Sequence, residues 1–522
     1  MKKIARALIS VYDKTGVVEL ASFLAKRGVE IVATSGTQKN LEKNGVKTVE
    51  MTAFAGSPEL LGGEIKTLHP AVFASLMADP EEPQAMEQLQ TIGGKSIQLL
   101  IVNPLPLEPV DAPVKGKHSR PVVSIDVGSV AMICAAARNH ENLVILVNPA
   151  QYAPFMEAFT ASEGKIPESI VRSYALQAYE MVADYNIRLY EHFYKKTGKE
   201  QFPPETLYLR YKKAMELKYG ENPHQKAAFY RQPDTTGISL CDLELLQGPP
   251  MSFNNLNDVN AALEIALEFD RETAVVVKHG NPTGVAIDKD PCKAYIKARD
   301  ADKVSAFGAV VAFTGQVDKK TAKELENAYT EVLLAPKITD GAMELLKASK
   351  KTANMRIYKV NIKKWVKNQK EPELRSVMGG IILQERDDLL VPDGGQIKVV
   401  SKRKPTRKQL ADLVLAWKVC KYVRSNAIVI VKDGQTLGIG AGQMSRLDSI
   451  KIALEKAGEN AVGAVMASDA YFPFRNVVDE AAQYGIAAII QPGGARRDDE
   501  IMMACDEHNV ALCLTGMRHF RH

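Results

Sequence analysis

This chain has few of the residues that build covalent or metal-held frameworks. Its 522 residues include six cysteines (Cys134, Cys241, Cys292, Cys420, Cys505 and Cys513), scattered and without a CxxC pair. That spacing argues against a zinc site or a disulfide framework and suits a reducing cytosol. No run approaches the roughly 18 apolar residues of a membrane span. Arg6 and Asp13 interrupt the N-terminal segment behind Lys2 and Lys3, so we expect no signal peptide and a cytoplasmic location. A GxxxxGK[ST] loop is absent, which makes an ATPase unexpected. Neither sign of charge dominates: 67 basic residues face 62 acidic ones for a net +5, too little to indicate nucleic-acid binding. A local basic pocket for a small anion fits that balance equally well. What is present is ordinary, with 46% hydrophobic and 25% charged residues, and the length calls for two to four globular domains.

The N-terminal third alternates strands and helices, the pattern of a parallel α/β sheet. Ala5–Val11 reads as a strand, and Asp13 is placed to cap a helix through Leu24. Val29–Ala33 reads as a second strand. Thr34-Ser35-Gly36-Thr37 follows as a loop before a helix expected from Gln38, a plausible phosphate cradle built from backbone N–H groups, although ordinary helix caps use the same residues. A long helical pattern ends near Phe193. The polar segment beyond it, with Pro203 and Pro204, marks a boundary, giving units 1–195 and 205–522 joined by a linker at 196–204.

In the second unit one stretch concentrates chemistry: Ala274-Val-Val-Val-Lys278-His279-Gly280-Asn281-Pro282-Thr283-Gly284. A buried strand ends in two titratable groups, followed by what reads as an Asn-Pro turn. Histidine exchanges a proton near neutral pH and lysine fixes charge, so the pair suits proton transfer; the alternative is a histidine satisfied at a strand terminus. Ser252–Asp258 supplies an N-cap-rich entry to an amphipathic helix expected over Val259–Phe269. Leu410–Val423 is a helix with Leu410, Leu413, Val414 and Trp417 on one face. Asp433-Gly434 makes a hairpin between the strand Ala427–Lys432 and Gly438-Ile-Gly440-Ala-Gly442, whose GxGxG spacing and position after a hairpin oppose a dinucleotide fold. Strands Ala461–Ala467, Ile486–Ile490 and Val510–Leu514 alternate with helices Val477–Tyr484 and Asp498–Glu507. Polar and aromatic residues at strand ends near 278 and near 469 hint at a duplicated unit.

Several motifs carry a family resemblance. Ser10-Val-Tyr12-Asp13-Lys14-Thr15-Gly16, the 34–37 loop, Lys66-Thr67-Leu68-His69-Pro70 and Ile125-Asp126-Val127-Gly128 resemble the inosine monophosphate (IMP) cyclohydrolase domain of the bifunctional purine-biosynthesis enzyme family. That resemblance implies a methylglyoxal-synthase-like fold. It also implies a site of a lysine (Lys66), a tyrosine, an aspartate (Asp126) and a second lysine around the closing ring. Here the tyrosine position is Leu105 and the second lysine is Arg138. Gly128-Ser129-Val130 stands for Gly-Gly-Pro, and Phe73 for a histidine. Leucine offers no phenolic donor and arginine is a poor proton donor. Between Pro106 and Ile125 a Pro- and Lys-rich stretch with Pro109, Pro113 and Pro121 opposes the helix of the family. The expectation is a degenerate site in which Lys14, Thr34, Ser35, Gly36, Thr37, Lys66, Leu105, Asp126 and Arg138 mark the former cyclohydrolase chemistry.

From about 205 to 522 the chain resembles aminoimidazole carboxamide ribonucleotide (AICAR) transformylase, through Lys218-Tyr219-Gly220-Glu221-Asn222-Pro223, Ser252–Asp258, Lys278–Gly284, Ser305–Gly308, Ser425-Asn426, Gly438–Arg446 and Ser468–Arg475. The resemblance implies an α/β region of two cytidine-deaminase-like subdomains. It implies a homodimer with shared sites and 10-formyltetrahydrofolate as cosubstrate, with room for a structural potassium ion but no catalytic metal. By the same resemblance Lys278, His279 and Asn426 are catalytic, and Lys218, Tyr219, Asn255, Gly308, Glu331, Arg446, Tyr471 and Arg518 meet the nucleotide. Lys218 stands where arginine is frequent, keeping charge without the bidentate fork. The implied reaction moves a formyl group to the 5-amino group of AICAR. A fully bifunctional enzyme and a catalytically silent nucleotide-binding scaffold are the alternatives.

Overall fold

The computed structural model describes residues 3–61, 65–107, 125–198, 201–233, 239–360, 372–392 and 395–522. The Pro-rich stretch with Pro109, Pro113 and Pro121 lies outside them. The chain divides into two units, Met1–Tyr208 and Leu209–His522.

The first unit runs β1 (Arg6–Val11), α1 (Val17–Ala25), β2 (Glu30–Ala33), α2 (Ser35–Lys43), β3 (Val49–Glu50), α3 (Met51–Ala55), α4 (Pro70–Met77), α5 (Pro83–Thr91), β4 (Leu99–Asn103), α6 (Val127–Arg138), β5 (Val144–Leu146), α7 (Tyr152–Ala161) and α8 (Glu168–Lys196). Among the described residues its five strands are all parallel, in the order β3-β2-β1-β4-β5. Both faces are covered, so the strands read as unbroken apolar runs. Ala7, Ile9 and Val11 join α1 and α7 in one core; Leu8, Val32 and Leu100 join α4 and α6 in the other.

Two local expectations need correction here. Asp13 does not cap α1: its carboxylate accepts the Thr15 N–H at 2.9 Å, and α1 begins at Val17 behind Gly16 in the left-handed region. Residues 35–37 are the first turn of α2 rather than a loop, and the Thr34 hydroxyl turns to Ser10 Oγ (3.3 Å) instead of capping the helix.

The second unit runs β6 (Lys212–Leu217), β7 (Ala227–Arg231), β8 (Glu244–Gln247), α9 (Phe253–Ala266), β9 (Thr273–Lys278), β10 (Asn281–Ile287), α10 (Pro291–Asp300), β11 (Ala309–Phe313), β12 (Gln316–Val317), α11 (Lys319–Asn327), β13 (Thr330–Ala335), β14 (Lys337–Ile338), α12 (Asp340–Ala348) and β15 (Arg356–Lys359). It continues with β16 (Glu373–Val377), β17 (Gly380–Gln384), β18 (Lys398–Val399), α13 (Arg407–Cys420), β19 (Ile428–Lys432), β20 (Gln435–Gly440), α14 (Arg446–Ala457), β21 (Val465–Ser468), α15 (Asn476–Gln483), β22 (Ala488–Gln491), α16 (Asp498–Glu507) and β23 (Ala511–Leu514).

A mixed sheet, twelve-stranded among the described residues, takes the order β18-β23-β22-β21-β19-β20-β10-β9-β11-β13-β15-β8. It is a duplication. Helix, hairpin, helix, strand recurs as α9-β9-β10-α10-β11 and α13-β19-β20-α14-β21, and the two halves meet where β10 lies antiparallel to β20. Val275, Val277, Val429 and Val431 face a shared core under α9 and α13. The other face packs separately, Val276 with the α10–α12 side and Ile428 and Ile430 with the α14–α16 side. Gly284 and Gly438 let these hairpins lie on their helices: an added Cβ would meet the Ala298 carbonyl oxygen at 1.8 Å and that of Ala453 at 2.0 Å.

The duplication is real, but its register is not the one expected from 278 and 469. The counterpart of the Lys278–Asn281 tip is Lys432–Gln435, and Asp469 follows β21, the counterpart of β11. Residues 281–282 are not a turn either. The turn is His279-Gly280, and Asn281 and Pro282 open β10 at a register shift between Pro282 and Gly284, a position where a strand tolerates the missing N–H. In α13 Leu413 and Trp417 are buried as expected, but Leu410 in the first turn is 39% exposed.

Candidate active site

Strand register gathers the residues expected to be catalytic or to face the nucleotide in the second unit at one end of the long sheet. The β9 C-terminus, the β10 N-terminus, the starts of β11, β13 and β19, and the ends of β20 and β21 all lie there. Lys278 closes β9 and its Nζ donates to the Phe307 carbonyl, beside Gly308. His279 is exposed and occupies the left-handed region at φ 53°, followed by Gly280 at φ 72°. That pair of positive φ values is the signature of a tight two-residue hairpin turn. Asp258, on α9, accepts the Gly280 N–H at 2.6 Å and the His279 N–H at 3.3 Å. Burial pushes the Asp258 carboxyl above the usual range, against the lowering pull of those two amides.

Around this tip, Asn255 caps α9 reciprocally with Ser252 and donates Nδ2 to Glu331 at 2.9 Å. Arg356 reaches the same Glu331 oxygen at 3.4 Å. Gly308 needs its φ of 71° and bonds the Tyr329 carbonyl at 2.7 Å; Phe307 and Tyr329 form an exposed aromatic pair. Lys218 and Tyr219 follow β6, with the ammonium 5.8 Å from the ring centroid, and their loop is tied to α9 by Asn254 donating to the Glu221 carbonyl.

The second half supplies a buried polar network. Asn426, joined to Ser425 by a cis peptide, donates Nδ2 to the Gln443 and Met444 carbonyls at 2.9 and 3.1 Å and accepts from Arg446 at 2.7 Å. Arg446 is buried, and its other guanidinium nitrogen binds Asp469 at 2.5 Å and Ser468 at 2.8 Å. The second Asp469 oxygen accepts from the Ser425 hydroxyl. A pocket of about 480 Å³ opens over this network, lined by Asn426 and Arg446 and by Tyr471, Phe474, Arg518 and Phe520. Arg518 is exposed and lies over the Phe520 ring at 4.4 Å. The hydrogen bond from Arg424 N–H to Asn281 Oδ1 (3.0 Å) links this half to the hairpin of the first. Asp258, Ser425 and Asp469 were inside quoted motifs but had no assigned role. The usable signal for Asp469 is a carboxylate just beyond the apolar run Val465–Ala467, where charge needs a buried partner.

In the first unit a second site forms at the carboxyl ends of β1 and β4, where the strand order reverses, the place where open parallel sheets bind ligands. Asn103 Oδ1 accepts the Tyr12 and Asp13 N–H groups at 2.7 and 2.8 Å. A pocket of about 770 Å³ there is lined by Lys14, Leu105, Tyr12, Tyr185 and Arg188 among others. Thr37 at the start of α2 bonds Val11. Asp126 caps α6 through Ser129 N–H (3.0 Å) and accepts the Leu105 N–H (3.1 Å). Gly128 lets the Lys66-Thr67 loop approach: an added Cβ would lie 2.6 Å from Thr67 Oγ1. Arg138 is not brought to this group. It ends α6, whose N-cap is Asp126, and twelve helical steps place the two roughly 18 Å apart.

Among the described residues no group of three or more His, Cys, Asp or Glu side chains could hold a metal ion, and no helix is long and apolar enough to cross a membrane. The family model described as "AICARFT/IMPCHase bienzyme" matches residues 136–456, and the "MGS-like domain" model matches 16–131. A protein of Bacillus cereus (strain 03BB102), named bifunctional purine biosynthesis protein PurH, is 41% identical over 522 residues, covering all of both chains. The protein of that name from Persephonella marina is 43% identical, over 99% of each chain. The expected loss of the cyclohydrolase chemistry finds no support in these full-length relatives, which carry the bifunctional name. The chain belongs to the AICARFT/IMPCHase bienzyme family.

Proposed function

We propose that the second unit transfers a formyl group from 10-formyltetrahydrofolate to the 5-amino group of AICAR, with His279 as the base. The observation that carries this reading is the exposed His279 ring at a turn fixed from behind by Asp258, next to Lys278 and at the sheet end that also holds Asn426 and Arg446. The amine is a poor nucleophile because its lone pair is delocalised into the imidazole and carboxamide. Removing its proton as the bond to the formyl carbon forms lowers that barrier, and the formyl C–N10 bond then breaks with N10 keeping the electron pair and taking up a proton, which releases tetrahydrofolate. Lys278 supplies positive charge beside the base. Both Asn426 amide hydrogens are engaged, but its oxygen keeps a lone pair, so its fitting role is to accept from the amine rather than donate to the formyl oxygen. Lys218 and Arg518 are exposed and, with the half-buried Tyr219, are suited to the phosphate end, while Arg446 is held by Asp469. His279→Ala removes most turnover and leaves AICAR affinity within a modest factor; near-normal turnover would sink the assignment.

A second activity, closure of formyl-AICAR to IMP, is favoured by the bifunctional name of the full-length relatives and by the pocket at the β1/β4 crevice. Leu105 and the distant Arg138 oppose it. Incubation of the whole protein with formyl-AICAR decides: IMP forming no faster than in buffer would leave transfer as the sole activity. The silent-scaffold reading falls if folate-dependent transfer is measured. Potassium enters none of these steps. A homodimer with shared sites fits the exposed stripe of Leu176, Tyr179, Tyr190 and Phe193 along α8; a monomeric mass in sedimentation would count against it. The six free thiols suit a cytoplasmic location.

A further inference from the structure

We infer that Asp258 is a positioning residue for His279: it holds the hairpin tip in the one backbone conformation that presents the ring, and the molecule contains its own control in Asp412. The inference rests on the reading of His279 as the base.

The internal repeat supplies the comparison. Both α9 and α13 are 14 residues long, and both open with a reciprocal cap, Ser252 with Asn255 and Thr406 with Gln409. One and a half turns on, each places an aspartate under the following hairpin. Asp258 lies 21 and 22 positions before the two amides it accepts; Asp412 lies 21 and 22 before Asp433 and Gly434, whose N–H groups it accepts at 3.0 and 2.9 Å. The backbone is the same at both tips, with φ 53° and 72° at His279-Gly280 and 56° and 74° at Asp433-Gly434.

The tips differ in what they need. An Asp-Gly pair is the preferred chemistry for such a turn, so the second tip keeps its shape by local preference. A histidine takes a positive φ less readily than aspartate or asparagine, so the first tip leans more on the aspartate beneath it. A carboxylate accepting two adjacent amides can hold both at once. An asparagine in its place offers one acceptor oxygen and turns an N–H donor toward the other amide. Asp258→Asn therefore releases half of the clamp without changing the size of the side chain, and the His279 ring moves relative to the amine. Misplacement of about 1 Å at a reacting group lowers turnover about a hundredfold.

The test compares Asp258→Asn and Asp412→Asn in the full-length protein by formyl transfer, thermal midpoint and hydrogen exchange at the two tips. A positioning role predicts that Asp258→Asn lowers kcat by about a hundredfold with the AICAR KM within about threefold, and speeds exchange at His279 and Gly280. Asp412→Asn loses similar thermal stability and keeps kcat within about twofold. Equal losses of kcat in both variants, tracking stability, would overturn the inference, as would an Asp258→Asn protein with unchanged kcat. If Asp258→Asn does not fold, Asp258→Glu carries the test: its carboxylate keeps both acceptors on a longer stem, so kcat and exchange protection at His279 and Gly280 that are kept together or lost together, at constant KM, support positioning, whereas protection lost with kcat unchanged, or kept with kcat lowered, overturns it. His279→Ala run alongside separates the two ideas, because full turnover there removes the base itself.

Discussion

The two hairpin tips of the long sheet share a backbone, a supporting aspartate and a packed glycine, yet one carries His279 and the other Asp433. The shared parts are what folding requires of this unit. On the proposed reading of His279 as the base, the difference is what chemistry adds. A residue that takes positive φ less readily stands at the tip beside Lys278, and a well-fitting one at the tip where Asp433 pairs with the exposed Lys408. Local strain at one copy of a duplicated element thus separates a functional position from a structural one without knowledge of any ligand.

The largest expected effect tests that separation directly. His279→Asn puts a residue tolerant of the left-handed region at the first tip. Formyl transfer should fall by 10²- to 10⁴-fold, since asparagine takes no proton, while the urea midpoint rises, by about 1 kcal/mol or less in stability. Asp433→Asn should leave both nearly unchanged. Parallel changes at the two tips would erase the distinction. Next in size are Gly284→Ala and Gly438→Ala, which drive a Cβ into a helix carbonyl oxygen at 1.8 and 2.0 Å. Each should lower stability by about 1–3 kcal/mol, and to a similar extent, in equilibrium unfolding. A large difference between them would mean that the halves are not packed alike.

Much of this architecture is legible in the residues. The parallel unit shows as continuous apolar runs because both sheet faces are covered, and Asp498–Glu507 is a helix over the expected span. Motifs such as Lys278-His279 and Asn426 mark the sheet end that gathers them. The tip itself is misread because Pro282 signals a turn more strongly than His279-Gly280 does, and a register shift that accommodates proline inside a strand has no sequence mark. The duplication is hidden because only a few positions need conserved chemistry: a cap, an aspartate and a glycine. Asp258 and Asp469 act on partners about twenty residues or more away, which linear spacing does not reveal. Arg138 is the reverse case, since it matches the position of a site lysine while a whole helix separates it from Asp126.

Smaller effects refine the comparison. Asp433→His transplants the strained residue to the structural tip. It should cost about 1 kcal/mol from positive φ, with little added by losing the exposed pair with Lys408, and leave formyl transfer intact. An unchanged urea midpoint would mean that histidine is not strained at this turn, and the argument for its retention at 279 would fail.

The smallest prediction concerns pH. An unfolded aspartate titrates near 3.9, and burial holds the folded Asp258 carboxyl above that value. The folded protein then binds this proton more tightly than the unfolded chain. The contribution of Asp258 is full below the unfolded value and is lost as pH rises through the folded one. Asp258→Asn lacks the titration, so its stability relative to the parent protein should improve as pH rises through that window, even though the variant is the weaker catalyst. Chemical unfolding of both proteins at several pH values measures the difference. If it stays flat, the amides of His279 and Gly280 offset the burial of the carboxylate in full. If it worsens with pH, they outweigh it, and the clamp contributes more stability at the catalytic tip than its burial removes.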